Sequence, residues 1–384
     1  MNKKISVGII GGGIAGLSFA NFLCNNNLFK IKIFEKKNTF RQNASGIQLS
    51  NNAIKILKTI NFNNISEKKI SIIKNIHIQD YKSNKSITNF SLNILNNSSE
   101  YICLDRDVLI NFLLDRINVN VEISHKEAIS IKDNSINFLD NSNEIFDYIV
   151  VADGIFSKIR KSLQNLDFLQ SVNAIGFKGI IQNHKKLNIE NLDLYLGDQK
   201  HFIFYPINSY GDFSFTSIFA LQNSILNKDY ENLVLDKDSL LSLSADANTD
   251  IKGIITSANS IYQWPIYKHK NIFFGERKIF IIGDAAHGMV PFQAQGAAQS
   301  VEDAFCLAKL FEKRIYEIDK FYKFRSSRIS MINARSNLNL YAYHVSNLFL
   351  KKIRNFFMKI ICNNKLLCNL YFGKIYNYKF KDLI

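Results

Sequence analysis

One stretch near the start, "ISVGIIGGGIAGLSFANFLCNNNLFKIKIFEK" (Ile5 to Lys36), limits the possible folds more than any other. Residues 5–10 are an apolar run of strand length, residues 14–26 read as a helix, and residues 30–34 form a second short strand. A β-α-β unit of this kind commits the chain to a parallel sheet flanked by helices. Between the first strand and the helix lies Gly11-x-Gly13-x-x-Gly16. The first glycine permits a tight turn, the second lets a pyrophosphate approach the backbone, and the third lets helix and strand pack closely. The helix N-terminus then faces the phosphates. Glu35 ends the second strand, where a carboxylate accepts hydrogen bonds from ribose hydroxyls. This context predicts a bound dinucleotide. The acid favours a free 2′-hydroxyl, hence NAD or FAD rather than NADP.

A second strand–acid–loop–helix segment follows much later, "IFIIGDAAHGMVPFQAQGAAQSVEDAF" (Ile279 to Phe305). Asp284 falls at the C-terminal end of an apolar strand, where open α/β sheets bind ligands. Gly283 leaves room for backbone approach, and the loop turns through Pro291. Gln295-Gly296-Ala297 then opens a helix whose N–H groups favour negative charge. NAD would need only the first site. A flavin dinucleotide is longer, so two sites gripping opposite ends of one FAD account for both segments. Asp284 would accept from the ribityl hydroxyls.

Between these sites, residues 128–133, 135–140 and 145–151 read as a small meander leading into "DYIVVADG". From about residue 172 to 264 the pattern is mostly strands, and from about 297 onward mostly helical. The expected fold is α/β: a Rossmann-like FAD-binding domain of the glutathione-reductase type, interrupted by a mostly β substrate domain, with helices at the C-terminus. The expected ranges are 1–170 and 265–330 for the FAD domain, 171–264 for the substrate domain and 331–384 for the helical region.

Composition narrows the partners. The 384 residues carry a formal charge of +15, but the lysines are dispersed and no nucleic-acid-binding motif accompanies them. The excess accompanies a chain rich in Lys, Asn and Ile, so no nucleic-acid partner is expected. No apolar run approaches the roughly 18 residues of a membrane span. The opening "MNKKISVGII" runs straight into glycines without a cleavage site, so it reads as a strand rather than a signal peptide. Five scattered cysteines without a C-x-x-C pair point to a reducing, cytoplasmic compartment and to no metal site.

Taken in order, the motifs resemble the class A flavoprotein aromatic monooxygenases of the para-hydroxybenzoate hydroxylase superfamily. They are most similar to the branch containing salicylate hydroxylase and 6-hydroxynicotinate 3-monooxygenase. "GGGIAG" with Glu35 resembles the family's FAD fingerprint, "ASGIQLSNNAIKIL" its Gly-Ile-x-Leu-x-Pro-Asn-Ala segment, and "LDRDVLINFL" its Arg-x-x-Leu segment. "VVADGIFSKIR" resembles its Asp-Gly motif, and "GDAAHGMVPFQAQGAAQSVEDA" its ribityl motif and following helix. Two departures stand out: Asn51 replaces the family's Pro, and "FKG" (Phe177-Lys178-Gly179) replaces an aromatic-Arg-Gly segment.

The resemblance implies that FAD is held by Gly11, Gly13, Ala15, Gly16, Glu35, Lys36, Arg106, Asp153, Gly154, Gly283, Asp284, Pro291, Gln295, Gly296 and Ala297. It implies NAD(P)H as co-substrate, bound transiently in a shared groove near Asp153 and Arg160. The implied reaction is hydroxylation of a small aromatic, a phenol or hydroxylated aromatic acid, by O2 through a flavin C4a-hydroperoxide. For substrate contact, "HFIFYPI" as a strand would put His201, Ile203 and Tyr205 on one face. His201 would accept a phenol proton and Tyr205 would orient the ring. His287 would line the flavin, and Gln48 would face its ring. Two other readings stand beside this one: a ubiquinone-biosynthesis-type hydroxylase at a membrane surface, and a non-catalytic dinucleotide-binding protein. A monomer or homodimer is expected. Near the C-terminus, Leu348, Phe349, Ile353, Phe356, Phe357, Ile360 and Ile361 can share one helical face, with Lys351, Lys352, Arg354 and Lys359 mainly outside it. The preferred reading packs that face on the body or on a dimer partner, and the alternative lays it on a membrane.

Overall fold

The computed structural model describes residues 4–40, 45–95, 100–166, 168–182, 187–221, 233–235, 237–378 and 380. A six-stranded sheet has the spatial order Gly275–Glu276, Ile279–Ile281, Tyr148–Val151, Ile5–Ile10, Phe29–Phe34, Val121–Ser124. The last five strands are parallel. In the central strands the side chains are mostly apolar and buried, as a sheet covered on both faces requires, while the edge strand Val121–Ser124 is half-exposed. Because the strands run the same way, their C-terminal ends share one edge. Ile10 lies opposite Val151, and Val151 lies opposite Ile281. The two glycine loops therefore leave the sheet at the same level, one strand apart.

Helix Gly296–Glu312 packs beside helix Ile14–Leu23 over this sheet. Phe311, in its last turn, meets Phe19, Tyr148, Phe280 and Tyr316 at ring-centroid distances of 5.2–5.6 Å. Such pairs contribute about 0.5–1.5 kcal/mol each beyond the area they bury. The helix is thus anchored at its C-terminal end, and its N-terminal end sits at the loop edge of the sheet.

A second sheet of eight strands stands against this unit. Its order is Leu233–Leu235, Ile261–His269, Leu169–Ile181, Phe213–Ala220, Lys200–Pro206, Asn191–Leu196, Asn75–Asp80, Ser86–Ser91. It therefore reaches outside residues 171–264, taking in a hairpin from the first hundred residues through the parallel pair of Asn75–Asp80 with Asn191–Leu196. Gly46–Ser50, Tyr101–Asp105 and Ile70–Ile72 form a three-stranded sheet between the two. Ala128–Lys132, Ser135–Phe138 and Asn143–Ile145 make the small meander.

Helix Ile318–Tyr343 leads into helix Leu348–Asn363. The latter departs from the preferred expectation. Its packed face is the narrow side carrying Arg354, Met358 and Cys362, while Phe349, Ile353, Phe356, Phe357 and Ile360 are exposed. Asn347 caps its start by accepting from the N–H groups of Phe349 and Leu350. No helix among the described residues is long and apolar enough to cross a membrane.

Candidate active site

The first glycine loop makes a distinct demand at each glycine of the motif. Gly11 has φ +105°, and a Cβ there would lie 2.3 Å from the Ala152 carbonyl oxygen. A Cβ at Gly16 would lie 2.1 Å from the Gly11 oxygen, so helix and loop can touch only without a side chain. At Gly13, by contrast, an added Cβ meets nothing within 4 Å. That open side faces the start of helix Ile14–Leu23, which no side chain caps. Glu35 accepts from the Gly12 N–H at 2.8 Å and from the Lys37 N–H at 3.1 Å, which fixes its carboxylate beside the loop. Lys36 is exposed beyond it, and its charge acts on Asp153.

The second loop meets the first directly. Gly283 has φ +63°, and a Cβ on it would lie 2.9 Å from the Cβ of Ala15. Asp284 lies deep in the molecule, which raises its carboxyl pKa, yet its side chain remains open to solvent. A group that is both deep and accessible lines a cleft. Helix Gly296–Glu312 begins at Gln295 without a side-chain cap, so its first N–H groups point at the same cleft. The Gln295 side chain is turned away, donating to Ser50 Oγ at 2.9 Å and accepting from Asn52 and Gln299.

A buried charge network holds this second loop, and the sequence reading missed it. Asp303 accepts from the Gly283 N–H at 2.8 Å, from His287 Nε2 at 2.6 Å and from Arg325 Nε at 2.6 Å. Its neighbour Glu302 accepts from Arg325, Arg328 and Asn52. Burial alone would raise the Glu302 pKa, but Arg328 and Arg325 overcome it and bring it to about 2. Arg328 also donates to the carbonyls of Lys374 and Ile375, tying the C-terminal turns to the loop. The available signal was the acidic pair in "SVEDAF", set in an apolar helix, followed by arginines three apart in "FRSSR". His287 belongs to this network. It is 1% exposed and hydrogen-bonded to Asp303, so it braces the loop from behind and does not line an open flavin face.

Arg106 stands where the two halves meet. It opens helix Arg106–Asp115, capped by Asp105. Burial lowers its pKa, opposed by the charges of Asp107, Asp284 and Glu35. Its Nη1 is buried without a hydrogen-bond partner among the described residues. Asp153 Oδ1 is likewise buried and unpartnered, and burial raises that carboxyl to about 6. Gly154, with open space at its Cα, adjoins it. Buried polar atoms left unpaired cost about 1–3 kcal/mol each, a cost that a ligand offering an acceptor and a hydroxyl would remove. The residues present therefore fit a long dinucleotide. Arg160 does not belong to this opening. It is fully buried, and its guanidinium donates to Gln164, to the carbonyls of Ala285, Ala286 and Asn271, to Asn271 Oδ1 and to His269 Nδ1. With every N–H engaged, it clamps the 284–287 turn and has none to offer a cosubstrate.

Beyond the second loop, strand Lys200–Pro206 divides its side chains as its pleat requires. Phe202 and Phe204 enter one core, and His201, Ile203 and Tyr205 face the other way. His201 is buried against Phe292 and Tyr343, and its Nδ1 lies 2.9 Å from Nε2 of His344. Burial, and then the neighbouring His344, push its pKa well below the ordinary value, and burial lowers His344 to about 4. His344 Nδ1 has no partner among the described residues. Tyr205 donates its phenolic proton to the Gly46 carbonyl at 2.9 Å, so that proton is not available to orient a substrate. Gln48 accepts from Tyr101 at 2.6 Å. Gln293 reaches Tyr371, which donates to Asn339. The wall between the second loop and the C-terminal helices is thus largely aromatic, with the Arg335 guanidinium 5.2 Å from the Tyr371 ring centroid. The sequence reading did not select His344, Phe292, Tyr343 or Tyr101, because nothing local marks them.

Comparison with known proteins agrees with this geometry. Residues 140–317 match the FAD binding domain family, and residues 9–62 match the NAD(P)-binding Rossmann-like domain family. A 3-amino-4-hydroxybenzoate 2-monooxygenase of Streptomyces platensis is 23% identical over 359 residues, covering 88% of each chain. A 6-hydroxynicotinate 3-monooxygenase of Bordetella bronchiseptica is 20% identical over 355 residues, covering 87% of this chain and 91% of that one. Among solved structures, a salicylate hydroxylase substrate complex has the same fold at TM-score 0.81 and 18% identity, covering 99% of this chain and 97% of the other.

Proposed function

We propose a reaction for a chain that belongs to the class A flavin-dependent monooxygenases: hydroxylation of a small, electron-rich, uncharged aromatic with NAD(P)H and O2. The observation that carries the proposal is the meeting of two glycine loops, with Gly283 against Ala15, at one sheet edge where Arg106 keeps an unpaired nitrogen. In this reading Gly11, Gly13, Ala15, Gly16 and Glu35 hold the adenosine and pyrophosphate half of FAD, with Lys36 at its outer rim. Asp284 and the helix start at Gln295-Gly296-Ala297 hold the ribityl and ring half, and Arg106 bridges them. Bound there, FAD supplies reduction by NAD(P)H and activation of O2. The protein contributes position and a dry surrounding. Phe292, Tyr343 and Gln48 orient a flat ring, and the His201–His344 pair offers a nitrogen to its hydroxyl. Phe292, Tyr343, Gln48 and the His201–His344 pair offer no cation to a carboxylate, whose burial without a partner is costly. A neutral phenol or hydroxylated heteroaromatic therefore fits better than an aromatic acid.

The test is direct. The purified chain should carry extractable FAD, and neutral phenols should stimulate NAD(P)H oxidation with a hydroxylated product more than their carboxylated analogues do. Asp284→Ala should weaken FAD binding by about 1–3 kcal/mol, read by flavin fluorescence titration, because the ribityl hydroxyls lose their acceptor. Undiminished FAD affinity in that variant would remove Asp284 from the site.

A further inference from the structure

Helix Leu348–Asn363 is amphipathic with its apolar side turned to solvent. Phe349, Ile353, Phe356 and Ile360 follow one another at helical spacing, with Leu350 and Phe357 beside them. Phe349 is 69% exposed, Phe356 61% and Phe357 55%. The stripe from 349 to 360 is roughly 16 Å long at the usual rise per residue. Leu366 and Leu370, in the turns that follow, are exposed as well. A soluble surface seldom leaves so many large apolar groups together without an occupant.

Charge selects the occupant. From Lys320 to Lys381 the sequence contains no Asp or Glu and thirteen Lys or Arg. Lys352 and Lys359 lie along one border of the apolar stripe and Lys365 just past its end, all three exposed. A second copy docking through this same face would set Lys352, Lys359 and Lys365 against one another, while Asp198, the acid beside this helix, is already paired with Lys351 and Lys82. An anionic lipid surface instead offers acyl chains to the phenylalanines and headgroup phosphates to the lysines. We infer that helix Leu348–Asn363 lies in the interface of an anionic membrane, with the Phe349–Ile360 stripe inserted and Lys352, Lys359 and Lys365 on the headgroups. The same segment is flanked by His344 on one side and Tyr371 on the other, so docking would bring the aromatic wall of the site next to the lipid. The inference does not depend on the reaction proposed above.

Co-sedimentation of the full chain with vesicles tests it without any assay of activity. The chain should pellet with phosphatidylcholine vesicles containing phosphatidylserine and stay in solution with phosphatidylcholine alone. Phe356→Ser with Phe357→Ser should abolish pelleting. Lys352→Ala with Lys359→Ala, which leaves the apolar stripe intact, should weaken it on the order of 30-fold at low salt. Near-ultraviolet circular dichroism of each variant checks that it is folded. No pelleting with phosphatidylserine, or pelleting indifferent to both variants, would overturn the inference. So would a dimer in solution that the paired Phe substitution converts to monomer, since a second copy would then cover the face.

Discussion

His201 and His344 illustrate how burial decides what an imidazole can do. Each ring is held by the other at 2.9 Å among Phe292 and Tyr343, and neither is protonated at pH 7. A proton acceptor of this kind titrates low, so the acidic limb of kcat/KM should fall well below pH 6.5. His344→Gln should slow substrate-stimulated NAD(P)H oxidation at saturating substrate while FAD stays bound. An unchanged pH profile in that variant would show that the pair moves no proton. Residue types alone could nominate His201, because the strand pattern exposes its face. They could not reveal His344 as its partner, since the two lie far apart in sequence and meet only through the fold. Arg160 teaches the converse: a cation in a family motif can be wholly occupied by main-chain carbonyls and neighbouring side chains.

Helix Gly296–Glu312 joins two jobs that its sequence pattern keeps distinct. The glycine and alanines at its start leave an uncapped N-terminus at the cleft, and this was legible from spacing. The acids one turn further on were not read, because Glu302 and Asp303 acquire their meaning only when helix Ile318–Tyr343 brings Arg325 and Arg328 across them. Four charges buried together are expensive to remove from water, and the cluster persists because each carboxylate oxygen and each guanidinium nitrogen finds a partner. Removing one member strands the others. Arg325→Met should destabilise the protein by about 3–5 kcal/mol and loosen the loop at Gly283, seen as a lower Tm together with weaker FAD binding. A variant with unchanged Tm would mean that water or Arg328 replaces the lost cation at no cost.

Across the whole molecule, the strand-to-loop units were legible because each is local, and the sheet assembly was not. The parallel pairing of Asn75–Asp80 with Asn191–Leu196 joins segments more than a hundred residues apart, and no local pattern encodes it. The same assembly buries His201 and His269, and half-buries His344, as neutral rings. His269 is fixed as such: Nε2 lies 2.9 Å from the Ile155 carbonyl and donates to it, so Nδ1 accepts from Gly288 and Arg160. Burial lowers its pKa to about 4. The unfolded chain binds a proton at His269 below pH 6.5, the native chain only near pH 4. Between those values the unfolded state holds more protons, so stability rises with pH and is lost as pH falls through the window. His269 alone accounts for about 3 kcal/mol by pH 4. Thermal melts should show Tm dropping between pH 6.5 and 4.5, with a shallower slope in His269→Gln, and a flat curve would contradict the neutral assignment.

The strand order has a consequence for biogenesis. Ile279–Ile281 is added to the outer side of Tyr148–Val151, and the turns around Lys374 and Ile375 then bind Arg328, which grips Glu302. On the ribosome, the nascent chain can form its first β-α-β unit early. The counterpart that faces it, at Gly283, emerges much later, and its bracing from Arg325 and Arg328 later still. A cofactor needing both faces therefore cannot template the early unit during synthesis. It can be gripped at both ends only after the later loop has folded against the earlier one.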